Sequence, residues 1–388
     1  MGLMSEEHEL VRRAAREFAE SRVEAVAKSM DMDQYPRDLI REAGRQGILA
    51  PTVPPEHGGP GYDLRAGVVV LEELSRASGS FGLLVEALGV LFAHTLNRFG
   101  AGDQMKALEE VARGDAVGAF ALSEPCCGSD AAALETRAER RGGEWRVSGH
   151  KMWITNGQHA DYFLVFARTG AEGAGGGGEG RRTVTAFLLR RGKCIETSPI
   201  DLMGVRGIGD AEVFLNDCAA GDEDVVGGVN SGWSVMNYAL YVGRTAVSAV
   251  ALGLAARAVE ESVRWARERR AFGRALIDHQ AAQFKLASMY QRLETMRTLV
   301  YYSAYLYDSR DPYFLVMTHA AKLYSGPTAV EIARDAVQMH GGYGYSRESA
   351  VERIYRDVKV MEIGEGTNEV QQMVLFKLLT GGRLRFEF

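Results

Sequence analysis

Cysteine is scarce in this chain, with four among 388 residues, at positions 126, 127, 194 and 218. That number and spacing make no disulfide scaffold, and no Cys-x-x-Cys pair suggests a zinc site. A reduced, cytoplasmic setting is the expectation. The eight histidines contain no HxxxH or HExxH pattern, so no metal centre is expected. A basic excess is also missing. Lys and Arg number 45 against 51 Asp and Glu, a formal charge of −6, which argues against nucleic acid as the principal partner. The opening MGLMSEEHELVRR lacks the apolar centre of a signal peptide, and Glu6 stands where myristoylation needs Ser or Thr. No apolar run of transmembrane length is read from the sequence, so no membrane association is expected. No internal repeat occurs at solenoid spacing.

What is present is ordinary in amount and uneven in distribution. Hydrophobic residues make up 46% and charged residues 25%, and the length suffices for two or three domains with sizeable cores. Leu10, Val11, Ala14, Ala15 and Phe18 recur at helical spacing behind a capping Ser5, and Pro36 opens a second helix. A Pro/Gly-rich loop over 51–63 precedes further helical patterns at 64–75, 81–99 and 104–113. From 116 to about 226 the chain reads as short strands. These include a hairpin closed by Gly142-Gly143, strands over 161–168, 182–190 and 211–216, and a glycine-rich surface connection over 170–180. Long helical patterns follow at 233–269, 277–308, 312–341 and 346–360, with a last helix after Thr367, which suggests a bundle. The expected architecture is α+β and multidomain: an N-terminal helical domain (1–118), a middle β-barrel-like domain (119–228) and a C-terminal four-helix bundle (229–388).

The stretch DVKVMEIGEGTNEVQQ, 357–372, holds Glu365 between Gly364 and Gly366, with Thr367 suited to cap the final helix. On this stretch alone Glu365 is either a solvated acid in a loop or a carboxylate facing a cavity.

Four stretches, in order along nearly the whole chain, then point one way. Ala121-Leu-Ser-Glu-Pro-Cys-Cys-Gly-Ser-Asp130 resembles the TEPxxGSD loop of acyl-CoA dehydrogenases. Lys151-Met-Trp-Ile-Thr-Asn-Gly157 resembles their KxWITNG strand, and Arg269-Arg-Ala-Phe-Gly273 with Gln280 their RxxFG…Q segment. Gln338-Met-His-Gly-Gly342, Arg356-Asp357 and Glu365-Gly-Thr367 match their C-terminal signature. The segment 283–289 is most similar to short- and branched-chain members.

The resemblance implies FAD-dependent α,β-dehydrogenation of an acyl thioester. A base takes the α proton while a β hydride passes to flavin N5. Glu365 matches the base, its pKa raised by burial, with its own backbone N–H helping to polarise the thioester carbonyl. Thr155 and Ser123 match hydroxyls that bond the flavin, Thr155 near N5 and Ser123 near the pyrimidine edge. Trp153 would wall the ring or serve as ordinary core. Gly128 and Ser129 form a turn whose N–H groups could cradle the pyrophosphate, with Ser129 also near substrate. Arg269, Phe272, His279, Gln280, Gln338 and Gly342 correspond to the grip on the ADP half, partly across a subunit boundary, although by position alone Arg269 reads as a solvated helix charge. Thr367 would cap its helix and touch the flavin. Arg244 lies either near the substrate or in a buried ion pair. Some relatives place the base where this chain has Gly243, and glycine offers no carboxylate. The resemblance further implies a homotetramer and an electron-transfer flavoprotein as acceptor. Cys126 and Cys127 read as small apolar fillers, and His94 and His340 as packing residues.

Two departures stand out. Gly364 replaces the aromatic that often precedes the base, which predicts a wider acyl pocket with Gly364, Glu365 and Gly366 against the substrate. After Arg206, Ile208, Asp210 and Ala219-Ala220 replace the Ser, Thr and Val-Pro of relatives, so an acyl group on a carrier protein is an alternative to acyl-CoA. Flavin oxidases and monooxygenases on the same fold compete with the dehydrogenase reading, but Glu365 and the length of the chain count against them. A nucleic-acid-binding relative would need an added basic C-terminal region.

Overall fold

A computed structural model describes residues 3–170 and 183–381. Most of the glycine-rich connection expected over 170–180 therefore lies outside the described residues. Helices α1 (Glu6–Phe18) and α2 (Glu24–Met30) run on through a π turn, followed by α3 (Arg37–Arg45), α4 (Leu64–Ala77), α5 (Gly79–Glu86), α6 (Thr95–Phe99) and α7 (Gln104–Ala112). Ser5 caps α1 and Asp63 caps α4, accepting the Ala66 N–H at 2.9 Å. A π segment, Ala87–His94, joins α5 to α6 in one apolar helix.

The middle region forms an eight-stranded sheet from β1 (Gly118–Ala121), β2 (Arg137–Arg141), β3 (Glu144–Ile154), β4 (Tyr162–Arg168), β5 (Val184–Arg190), β6 (Ile195–Pro199), β7 (Ala211–Ala220) and β8 (Val225–Val226). The order is β6-β7-β3-β2-β4-β5-β8, with β1 parallel to β4. Gly142 and Gly143, at φ +61° and +93°, close the β2–β3 hairpin as their spacing predicts. The sequence did not mark β1 or β6. Both are short; β1 pairs with β4 well along the chain, and β6 with the next strand, β7.

The bundle comprises α8 (Gly232–Glu268), α9 (Gln280–Asp308), α10 (Phe314–His340), α11 (Ala350–Asp357) and α12 (Asn368–Thr380). A small hairpin of β9 (Arg270–Ala271) and β10 (Arg274–Ala275) precedes α9. α8 is apolar on nearly every face because α4, α9 and α10 surround it. Pro327 sits inside α10, against the low proline content expected of the bundle.

Two sequence readings are corrected here. Helices 79–99 and 232–268 each contain an 18-residue stretch with mean hydropathy 1.5, long and apolar enough to span a membrane, but 94% and 89% of those stretches are buried within the protein. They are core helices. The four cysteines are not free thiols: Cys194 is bonded to Cys218, with Cα atoms 5.3 Å apart, and Cys126 to Cys127. Pairing of β6 with β7 brings Cys194 and Cys218 within disulfide range, which their separation along the chain does not reveal.

Ion pairs join the domains. Glu72 of α4, 1% exposed, accepts from Arg12 (3.2 Å), Arg297 (3.0 Å) and the Tyr301 hydroxyl (2.5 Å), so it ties α1 and α9 to α4. Replacing Glu72 by Gln leaves these donors around an uncharged group. The expected cost is about 3 kcal/mol, visible as a lower urea midpoint, and an unchanged midpoint would refute it.

Candidate active site

The matched Arg356-Asp357 pair fixes the approach to Glu365. Arg356 forks onto Asp31 at 2.7 and 2.8 Å and also bonds Glu352, while Asp357 accepts the Val205 N–H at 2.6 Å. All three regions therefore meet one short segment before Glu365. The chain then tightens into a 3₁₀ turn, Val358–Glu362, and reaches Glu365 at φ +57° and Gly366 at φ +91°. A left-handed glutamate persists only where its surroundings impose it. Here Arg244 donates Nε–H to the Glu365 carbonyl (3.1 Å), and the Gln371 amide donates to the carbonyls of Glu365 (3.2 Å) and Gly366 (2.8 Å). With its amide nitrogen so committed, Gln371 presents its oxygen to His319 Nδ1 at 2.6 Å, which makes Nδ1 the protonated nitrogen.

This frame leaves the Glu365 carboxylate partly unpaired. Its Oε2 is buried with no hydrogen-bond partner among the described residues. A Cβ on Gly243 would lie 2.7 Å from that oxygen, so glycine in α8 gives the carboxylate its room. Burial pushes Glu365 up to about 7, while Arg244 and Lys322 pull the other way. Lys322, 1% exposed and with no partner for Nζ among the described residues, is lowered to about 8 by burial and held up chiefly by Glu365. Glu86, at the end of α5, is driven well above the carboxylate range by burial and then by Glu365. His319 is lowered to about 4 by burial and Arg244 and is neutral. The arrangement is one carboxylate near its own pKa, two cations that stabilise its charge and a second buried acid, Glu86, whose carboxyl is pushed toward its protonated form. Such a group can accept a proton from carbon at neutral pH.

Sequence reasoning missed Glu86, Lys322, His319 and Gln371. A lone acid in the apolar stretch 81–99 was a readable signal for Glu86. The other three sit at unremarkable helical positions.

The residues expected against the flavin ring lie at strand ends of the sheet, after β1 and at the end of β3. Met152 N–H donates to the Ser123 carbonyl (2.9 Å), which brings the loop after β1 against the end of β3. Ser123 and Thr155 are half-buried, and Trp153, at φ +62°, is 55% exposed. Beneath the loop, Glu124 accepts from Lys151 Nζ (2.7 Å) and from the N–H groups of Glu135 (2.5 Å) and Thr136 (3.0 Å), and Lys151 also donates to the carbonyls of Leu122 and Phe166. Gly128 and Ser129 are exposed at the turn, with nothing within 4 Å of a Cβ built on Gly128. Thr367 accepts the Val370 N–H at 3.4 Å as the cap of α12.

The residues expected against the ADP half gather elsewhere, at one end of the bundle. Arg269 lies over Trp265 and Tyr343, with its guanidinium carbon 6.0 and 5.8 Å from the ring centroids. Phe272 is 96% exposed on the β9–β10 hairpin, edge-on to His279, whose Nε2 bonds the Ala271 carbonyl (3.0 Å). Gln280, Gln338 and Gly342 are exposed around them. No hydrogen bond or ring contact among the described residues links this cluster to Ser123, Trp153 or Thr155. A cavity of about 440 Å³ adjoins it at Trp265, His340 and Tyr343, and another of about 590 Å³ lies at Tyr238 and Tyr307. Neither is lined by Glu365.

An open glycine turn, an exposed tryptophan on a fixed strand end and half-buried hydroxyls fit the ring and phosphates of a dinucleotide flavin. The exposed phenylalanine and arginine suit its ADP end.

Comparison with known proteins gives the family. Family models described as the N-terminal, middle and C-terminal domains of acyl-CoA dehydrogenase match residues 5–123, 119–218 and 230–379. The chain is 37% identical to a 3-(aryl)acrylate reductase of Clostridium sporogenes, over 96% of this chain and 98% of that one. It superposes on butyryl-CoA dehydrogenase from Megasphaera elsdenii with a TM-score of 0.92 and 32% identity, covering 97% of this chain and 99% of that one. A chain from the structure described as the electron transferring flavoprotein of Acidaminococcus fermentans gives a TM-score of 0.93 at 34% identity, covering 97% and 98%.

Proposed function

The chain belongs to the acyl-CoA dehydrogenase family, and on that premise we propose that it oxidises short or branched acyl groups carried as coenzyme A thioesters. Its reaction is FAD-dependent α,β-dehydrogenation of acyl-CoA, and it is a flavin oxidoreductase acting on a CH–CH bond. The observation that carries the residue assignment is the buried, unpartnered Oε2 of Glu365, poised near neutral pH.

In this reading Oε2 of Glu365 takes the α proton. Arg244 and Gln371 hold the base's backbone so that its carboxylate keeps one direction, and Gly243 leaves it space. FAD, when bound, supplies the hydride acceptor. Ser123, Trp153 and Thr155 would hold its ring, Gly128 and Ser129 its phosphates, and Arg269, Phe272, His279, Gln280, Gln338 and Gly342 the ADP half. The exposure of that last group suits a partner subunit's flavin, which supports a homo-oligomer, with a tetramer as the family form. An electron-transfer flavoprotein is the proposed electron acceptor, supported by the Acidaminococcus fermentans match.

Gly364 defines the substrate reading. Beyond its chain neighbours, a Cβ there would meet, within 4 Å and among the described residues, only the Val360 carbonyl, at 3.5 Å, which leaves space beside the base. The relative named as an aryl-acrylate reductase extends the substrates worth testing. Under anaerobic conditions, isobutyryl- and 3-phenylpropanoyl-CoA should bleach the flavin spectrum along with butyryl-CoA. Gly364→Phe should lower kcat/KM for the two bulky substrates at least about tenfold more than for butyryl-CoA. A wild-type preference for straight medium chains would count against the open pocket. Bleaching by carrier-protein thioesters alone would move the substrate to that carrier.

A further inference from the structure

We propose that Asp210 is a positioning residue for the flavin, acting through Thr155 by setting which way the Thr155 hydroxyl points. The proposal rests on the reading that Thr155 faces flavin N5.

The two residues are neighbours by strand register. Ile154 of β3 is opposite Ala211 of β7, so the next pair outward is Thr155 and Asp210. The strand ends stay locked together beyond that pair. Asn156 N–H donates to the Ile208 carbonyl and Gln158 N–H to the Gly209 carbonyl, each at 3.0 Å. The Asp210 carbonyl itself accepts from the Gln158 amide (3.0 Å) and from Ile200 N–H (3.1 Å). With its backbone held at both sides and only 6% of its surface exposed, Asp210 sits beside Thr155 across the strand ends, where the Thr155 hydroxyl favours its charged form.

The charged and titratable groups on the surrounding elements are engaged elsewhere. Tyr35 bonds Asn156, Arg37 bonds Asp161, and Arg191 bonds the carbonyls of Gly157, Gln158 and Ala160. His159 stacks on Tyr35, Arg206 pairs with Asp33 and Asp201, and Glu212 pairs with His150. Asp210 is left with burial and one hydroxyl. Burial pushes it up to about 7, and the Thr155 hydroxyl pulls it down.

A second hydroxyl in its place could also donate or accept, but only a carboxyl ties the direction to a titrating proton. Flavin N5 accepts a hydrogen bond when oxidised and donates one when reduced, so a hydroxyl beside it has to reverse its direction. Protonated Asp210 donates to Thr155 Oγ1 and leaves the Thr155 hydrogen free to face N5. Ionised Asp210 accepts that hydrogen and turns a Thr155 lone pair toward N5. The ionisation of Asp210 is thereby linked to the hydrogen bonding at N5. The resemblance gives relatives Ser or Thr in this segment, so the device belongs to this chain's departure from their pattern.

The test reads the holoenzyme's flavin, not its turnover. Glu365 titrates in the same range, so Glu365→Gln is the background. In that background the visible flavin band should shift with a midpoint near pH 7, and the midpoint potential plotted against pH should bend there. Adding Asp210→Asn, of nearly the same shape, should abolish both features while FAD stays bound. Adding Thr155→Val should abolish them as well. If the shift survives Asp210→Asn, or is absent from Glu365→Gln, the proposal fails although the dehydrogenase reading stands. If Thr155→Val leaves the spectrum unaltered at every pH, the placement of Thr155 at N5 fails with it.

Discussion

Glu365→Gln should lower turnover by roughly 10²–10⁴-fold, the range for losing a general base, and at the same time make the protein more stable. The glutamine keeps the shape and removes the titrating group. Its effect on stability follows from linkage. Glu365 is raised from 4.5 to about 7 in the folded protein, so between those values the folded state binds more proton than the unfolded state. The contribution of Glu365 to stability is therefore greatest below pH 4.5, falls as pH rises toward 7, and carries the full cost above it. That cost is on the order of 3 kcal/mol, and the substitution should recover much of it at pH 8 and little near pH 4.5. Thermal unfolding of wild type and variant at both values checks the sign. In the same window, wild-type kcat/KM for a good acyl-CoA should rise about tenfold per pH unit below 7 and level off above, because only the ionised base accepts a proton. A variant that loses activity and stability together would place Glu365 in the scaffold instead.

Gly243→Ala should produce the second large loss, about 10²-fold in kcat, without harm to the fold. The new methyl would lie 2.7 Å from Glu365 Oε2 and 2.8 Å from a Leu91 methyl. Both are the far ends of side chains, so they move while α8 stays in place. Alanine also favours a helix interior over glycine by about 1 kcal/mol. The base is displaced by an ångström or so, and misplacements of that size cost about two orders of magnitude. Stopped-flow reduction of the flavin by butyryl-CoA, beside the melting curve, separates the two effects. An alanine variant as fast as wild type would show that Oε2 has another resting place. Gly243 is thus more than a missing carboxylate. It is the space that the carboxylate on Glu365 occupies.

How much of this was legible without coordinates depends on the range of the forces involved. The helix start at Ser5 could be read because a cap is local, and the Gly142-Gly143 hairpin because two residues determine it. Strand β1 was missed because it is short and its partner β4 lies well along the chain, and β6 because its five residues carry little alternation of their own. The two long apolar helices looked unexceptional because burial, not composition, distinguishes a core helix from a membrane span. Cysteine pairing failed for the same reason: Cys194 and Cys218 meet only through the register of β7.

The sequence by itself determined the order of helical, β and helical regions and singled out Glu365 between its two glycines. It also marked Asp210 and Gly364 as departures. Those are matters of period, punctuation and resemblance, all readable along one line. Only the tertiary structure decided what surrounds that carboxylate. Arg244, Lys322, Glu86, His319 and Gln371 come from four different helices and converge on it. The pKa of an acid depends on the solvent it loses and the charges it gains, and both are properties of packing in three dimensions. A glutamate between glycines is a local fact, whereas a base near neutral pH is made by the whole fold.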